Sequence, residues 1–354
     1  MARGPAPRRR GGGLFSFLLW AAVGIGAAGV FAFAFFSSAI SRPGPNAEET
    51  AFMVERGATG ASIARALEEQ NLIKDDFLFR IAARIYAPGA TMQAGEYQIP
   101  ARASIRDIVD MMASGAALQH AITFPEGITI RAAMKIIEES DVLTGDLPET
   151  PPEGSILPDT YHVQRGMTRA ALLQLMRDAH NEALAEIWAG RAPNLPLRTP
   201  EELVNLASIV ERETGVAAER PMVAGVFINR LRRPMRLETD PTIIYGVCLR
   251  FPDRCIDGRL VNAQGQRRTI RQSEIALDTG YNTYRIDGLP PTPIANPGRA
   301  ALEATANPAQ TDAIFFVADG TGGHIFAATL AEHQANVARW REIEAQRLAQ
   351  ERPD

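Results

Sequence analysis

The segment Thr199–Gly246 reads TPEELVNLASIVERETGVAAERPMVAGVFINRLRRPMRLETDPTIIYG, and the rest of the chain is read outward from it. Thr199 with Glu202 three positions on forms a capping box, and Pro200 suits the first helical position, so a helix starts here. Leu203, Leu206, Ala207 and Val210 recur at helical spacing as its apolar stripe. One more turn carries the stripe to Glu213, with Gly215 as a candidate C-terminal cap. Pro221 opens a second helix whose apolar face is Val223, Val226, Phe227 and Leu231, with Asn229 and Arg230 beside it. In LETDPTIIYG, Thr239, Asp240 and Pro241 give a turn signal before a predicted strand, Thr242 to Tyr245.

Glu213 is an odd residue for the buried face of a surface helix. A carboxylate in the last turn opposes the helix dipole by roughly 0.3–1 kcal/mol, and an apolar surround adds a desolvation cost. Both raise its pKa, and a carboxyl kept protonated near neutral pH is what a general acid requires. If the helix frays after Val210, the carboxyl points to water, and spacing alone does not separate the two cases. Glu211, the rival, lies about 160° away around the helix. Asp240 either orients Glu213 or caps a turn.

ASIVERET, VFINRL and TDPTIIYG are followed in order by YNTY (Tyr281–Tyr284), GLPPTPIANPG (Gly288–Gly298) and FFVADGTGGHIF (Phe315–Phe326). This ordered set resembles the MltG (YceG-like) endolytic murein transglycosylases. The resemblance implies that the catalytic acid is the glutamate immediately before the threonine of E-x-E-T, here Glu213. It also makes Thr239, Asp240, Asn229, Tyr245, Asn282 and Tyr284 the candidate substrate-binding or orienting residues. The implied reaction cleaves the β-1,4 bond between N-acetylmuramic acid and N-acetylglucosamine within glycan strands. No water is used, and a 1,6-anhydro end is left.

With 354 residues, 46% hydrophobic and 22% charged, the chain has globular composition, and a net charge of −4 leaves no electrostatic footprint for nucleic acid. Arginine carries nearly all the positive charge, Lys74 and Lys135 being the only lysines. Leu14 to Phe36 contains no charged residue, a stretch of about 34 Å as a helix and so a predicted membrane span. Arg3, Arg8, Arg9 and Arg10 precede it and Arg42 follows, which puts the amino terminus in the cytoplasm and the remainder outside, in the periplasm. Cleavage at Ser37-Ser38-Ala39 is the competing account, but the apolar run is too long for a usual signal core.

RPGPNAEET, Arg42 to Thr50, reads as a polar linker. Three segments then repeat a strand, turn and amphipathic helix, starting at Phe52, Tyr97 and Ile122. A second helix with Ile81, Ala82 and Ile85 on its stripe, followed by the strand Glu96 to Ile99, makes the first unit strand-helix-helix-strand. That order resembles a LysM-like module, which implies glycan binding; a packing spacer is the plain alternative. A boundary is expected in the proline-rich stretch Gly145 to Gly154. SILPDTYHV and a long helix, Thr168 to Trp188, follow it.

Cys248 and Cys255 are the only cysteines, and outside the membrane they are expected to pair. Zinc would need two further ligands, and the five histidines are scattered, so neither a metal nor a cofactor is expected. GTGGH, ending at His324, reads as a hairpin between Ala313 to Val317 and Ile325 to Ala327, not a phosphate loop, because no Walker lysine is present. Thr329 and Glu332 cap a final charged helix.

The expected fold class is α+β. A basic tail (1–13) leads into a single transmembrane helix (14–36) and a linker (37–50). A LysM-like βααβ module with adjoining strand-helix repeats (51–145) precedes a mixed α+β transglycosylase domain (146–354). Expected partners are peptidoglycan glycan strands, the membrane and the synthases that make the strands. The rival functions are a muramidase using Glu213 and Asp240, and a non-catalytic wall-binding scaffold.

Overall fold

The computed structural model describes residues 13–89 and 92–350; the basic tail with Arg3, Arg8, Arg9 and Arg10 lies outside them. The chain forms two compact units, one up to Gln119 and one from His120 onward.

The first unit opens with α1 (Gly13–Ile40), whose run Phe15–Ile40 has a mean hydropathy of 2.1. It continues past the apolar stretch seen in sequence, and its end is not free: Ile40 is buried and Phe36 packs on the same core. Next come β1 (Thr50–Val54), α2 (Gly60–Glu69), α3 (Asp76–Tyr86), β2 (Gly95–Ile99) and α4 (Ile105–Ser114). β1 and β2 pair antiparallel, Phe52 opposite Tyr97, and both rings are fully buried among Leu67, Phe79, Ile108 and Met112. The helices start on Thr59, Asp75 and Ser104, each side chain accepting a backbone N–H of the first turn.

Two expectations are corrected in this unit. The inner face of α3 is Phe79 and Ala82 with Ala83 and Tyr86 against the core, whereas Ile85 is exposed, because the helix is rotated to bring Phe79 and Tyr86 inward and leaves Phe77 outside. The segment read as a linker is pinned. Asn46 donates to the Pro100 carbonyl at 2.8 Å, the Gly44 N–H donates to the Arg102 carbonyl, and the Arg102 N–H donates to the Asn46 carbonyl.

The second unit begins with β3 (Gln119–Thr123), α5 (Ile130–Glu139), β4 (Thr160–Gln164) and α6 (Arg169–Ala189). β3 pairs with β4, so the third strand-helix repeat belongs here and the units part at Gln119, not in the 145–154 stretch. Ile156, just beyond that stretch, is buried in one cluster with Ile122 and Phe124. Then come α7 (Pro200–Glu213), α8 (Arg220–Arg232), α9 (Asp240–Arg250), β5 (Cys255–Ile256), β6 (Arg259–Leu260), α10 (Gln272–Ile275) and α11 (Arg299–Ala306). The hairpin β7 (Phe315–Ala318) and β8 (His324–Ala327), then α12 (Leu330–Gln350), complete the unit.

α7 is not a surface helix. Every residue from Leu203 to Val210 is buried, and α6, α8, α9 and α11 all pack on it. Thr199 caps its start, while Glu202 reaches back to the Arg198 N–H, one residue earlier than a strict capping box. The helix stays intact through Glu213 and ends on Thr214, not Gly215.

The predicted strand at Thr242 to Tyr245 is helical instead. Asp240-Pro241 places proline in the first turn, where its missing N–H costs nothing, and the Thr242 hydroxyl donates to the Thr239 carbonyl. Ile243 and Val247, one turn apart, are buried with Leu260, so tertiary burial overrides the β-branched run. Cys248 at the end of α9 and Cys255 in β5 form a disulfide, Cα atoms 5.5 Å apart.

Candidate active site

Glu213 sits at the C-terminal end of α7, half-buried, with its Oε2 accepting the Thr239 hydroxyl at 2.5 Å. Desolvation dominates its electrostatics, and with the nearby Asp240 charge it pushes the carboxyl up to about 7. The Thr239 bond, His324 and Arg230 pull the other way without prevailing.

Thr239 is held as firmly as the helix. Its N–H donates to the Thr283 hydroxyl at 3.0 Å, and the Thr242 and Thr283 hydroxyls lie 2.8 Å apart, all in buried surroundings. Thr239 and Asp240 enter α9 from Glu238, whose φ of +46° is left-handed, a strained geometry for a non-glycine residue. Asp240 is exposed and accepts the Tyr284 hydroxyl at 3.0 Å.

Further along the chain from Glu213, Glu219 gathers three donors. The Thr214 hydroxyl bonds its Oε2 at 3.1 Å, the His324 backbone N–H bonds Oε1 at 2.8 Å, and His324 Nδ1 lies 2.7 Å from Oε2. These bonds outweigh desolvation and lower the Glu219 pKa. His324 thereby stands on a fixed carboxylate within electrostatic reach of Glu213.

Of the residues singled out in sequence, Thr239, Asp240 and Tyr284 surround Glu213. Asn229 does not join them: its amide donates to the Thr311 and Ala313 carbonyls and ties α8 to the chain before β7. Asn282 is fully buried and braces its own loop through Ile275, Leu277 and the Tyr284 N–H. Tyr245 points elsewhere, its hydroxyl to Glu153 Oε2 at 3.4 Å and its ring 5.0 Å from that of Tyr281. Glu211 lies on a different face from Glu213, pairing with Arg220 at 3.0 Å and accepting the Gly298 N–H at 3.0 Å.

Glu219 and His324 were not legible as site residues, and neither was the unusual state of Glu153, which lies with Tyr245 away from Glu213. Glu153 is a second carboxyl raised to about 7 by burial, although the Ile130 N–H at 2.7 Å, the Asn296 amide at 2.9 Å and Tyr245 all bond it. A carboxyl near neutrality on a rigid helix can give a proton to a leaving oxygen and take one back. That chemistry needs neither metal nor cofactor.

The YceG-like family model matches residues 52–339. An endolytic murein transglycosylase of Bacillus subtilis is 27% identical over 311 residues, 79% of this chain and 81% of its own length. The endolytic murein transglycosylases of two Streptococcus pneumoniae strains are 26% identical over 374 aligned positions, 92% of this chain and 64% of theirs. A crystal structure of a YceG-like protein from Listeria monocytogenes, 25% identical, covers 81% of this chain and 98% of that one at a TM-score of 0.47.

Proposed function

The chain belongs to the YceG-like family, and from that premise we propose that it is a membrane-anchored endolytic murein transglycosylase, with Glu213 as its single catalytic acid and base. The observation that carries this reading is the desolvated Glu213 carboxyl, near neutrality and aimed by Thr239. Protonated, it donates to the glycosidic oxygen between N-acetylmuramic acid and N-acetylglucosamine. As carboxylate it then accepts the proton of the muramyl C6 hydroxyl while that oxygen closes on C1, so the bond breaks without water and the proton count returns to its start. Asp240, held by Tyr284, contributes field and orientation to Glu213 rather than a nucleophile.

α1 anchors the protein in the cytoplasmic membrane, with the amino terminus inside and the chain after α1 in the periplasm. The βααβ arrangement of the first unit supports a LysM-like role in holding glycan. An enzyme that cuts within strands, held at the membrane where they are polymerised, would end their elongation beside the synthases.

Mass spectrometry of muropeptides released from purified sacculi tests the proposal. Anhydro-ended products from internal cuts, absent with Glu213→Gln, are expected. Reducing ends would instead make the enzyme a muramidase with Asp240 serving water, and no release at all would leave a binding scaffold.

A further inference from the structure

A cavity of about 790 Å³ lies against the N-terminal half of α7, closed on one side by the loop Leu289–Pro293 and on another by α6. We propose that it is a second glycan subsite, taking a neutral N-acetylated sugar unit of the strand that is cut at Glu213. The inference rests on the glycan-cleaving reading above and adds where the strand is held away from the scissile bond.

Three observations carry it. The size falls within the range of built ligand sites, roughly 300–1,000 Å³, and the pocket is distinct from the surroundings of Glu213. Two of its lining residues, His180 and Asn205, are each more than nine-tenths buried, yet His180 Nδ1 and Asn205 Oδ1 have no hydrogen-bond partner among the described residues. Both residues line the cavity while the unpaired atoms themselves are shut off from it, so a turn of either side chain would present an unsatisfied polar atom to a hydroxyl or acetamido group. The remaining wall, from Leu184 to the proline run Pro290, Pro291 and Pro293, offers rigid apolar faces of the kind that take the C–H face of a pyranose.

Charge argues for a neutral occupant. Burial lowers the His180 pKa, so its ring is uncharged at neutral pH. Glu201 and Glu202 line the cavity beside the half-buried Glu153, with Arg198 as the one cationic side chain among the described lining residues, which disfavours phosphates and free peptide carboxylates.

One stretch of chain links the cavity wall to the last turns of α7. The Asn205 amide bonds the Pro290 carbonyl, the Ile294 N–H bonds the Ser208 hydroxyl, and the Gly298 N–H bonds Glu211. The loop thus steps along α7 to its last turn, where Glu213 lies on another face, eight residues and about 12 Å along the axis from Asn205. An enzyme that cuts inside strands needs sugars bound away from the scissile bond, and this is where the fold offers them.

The test uses the full-length protein in detergent, carrying Glu213→Gln to prevent turnover, titrated calorimetrically with tetra-N-acetylchitotetraose. Asn181 is an exposed α6 residue at the cavity mouth, so Asn181→Trp fills the opening without entering the core. Glu182→Trp, its exposed neighbour outside the cavity, controls for added bulk. Asn181→Trp is expected to weaken binding at least tenfold and, in the otherwise wild-type enzyme on isolated glycan strands, to act mostly on KM. Equal binding in all three proteins, or equal loss in both tryptophan variants, overturns the subsite. Failure of the cleavage reading shows separately, as wild-type products without anhydro ends, and the titration still decides the subsite.

Discussion

Glu213 is held between opposing influences that single substitutions can separate. Glu213→Gln keeps the shape but removes the proton, and is expected to cost the 10²- to 10⁴-fold typical of general acid–base catalysis. Because the acid form starts the reaction, wild-type kcat/KM should fall as pH rises through about 7. Thr239→Val removes a donor that favours the carboxylate, so that limb should move to higher pH; Asp240→Asn removes a like charge, so it should move lower. Limbs that move together, or not at all, would show that another group titrates. The same shift bears on folding. A carboxyl raised from 4.5 to about 7 favours the fold below pH 4.5 and loses that contribution as pH rises through 7. Glu213→Gln should therefore be no less stable than wild type at pH 8, with a gain of at most ~3 kcal/mol. Spacing along one helix put Glu213 at the end of α7 and Glu211 on another face, and the structure has both there. Glu153, Glu219 and His324 gain their positions from partners 23 to 143 residues away, which no local pattern encodes.

At the scale of elements, sequence legibility followed how locally each signal is written. Caps and helical stripes placed α6, α7 and α8, and a glycine-rich turn placed the hairpin β7–β8, because capping, periodicity and turn chemistry are properties of a few adjacent residues. α9 was misread because its β-branched Thr242-Ile243-Ile244 is a strand signal until Ile243 and Val247 find their buried neighbours. α7 was read as amphipathic although it is buried on all sides, since a stripe shows which residues are apolar but not how many helices will cover the rest. The disulfide belongs to this scale, tying the end of α9 to β5. Closing so short a loop restricts the unfolded chain by about 2.5 kcal/mol in the loop-entropy account. Replacing Cys248 and Cys255 with serine should lower the Tm by roughly 5–10 °C and leave turnover within about threefold, because the bond touches neither Glu213 nor Thr239. Two free thiols in periplasmic protein, measured by thiol titration, would remove this crosslink from the account.

Across the whole molecule, the proposed anchoring rests on α1, and the first unit gives a reason why that helix should remain attached. The apolar run spans a bilayer on length alone, but a signal sequence passes the same test. What separates the two is the far end of the helix. Phe36 packs on the first unit's core, Ile40 is buried within it, and the Ser37 hydroxyl lies 3.5 Å from that of Tyr86. Removing the segment at Ser37-Ser38-Ala39 would strip Phe36 from that core and leave Ile40 as a frayed terminus, giving up part of the roughly 1.5–3 kcal/mol that burying one such side chain supplies. The pinned turn at Gly44 and Asn46 argues the same way, since a cleavage region is normally free to extend into a peptidase. The mature protein is therefore expected to keep its amino terminus, to stay with the cytoplasmic membrane after an alkaline wash, and to be digested by protease only from the periplasmic side. Intact mass and amino-terminal sequencing of the membrane fraction are the measurements. A soluble form beginning near Ile40 would make α1 a signal sequence and leave Phe36 without a structural role.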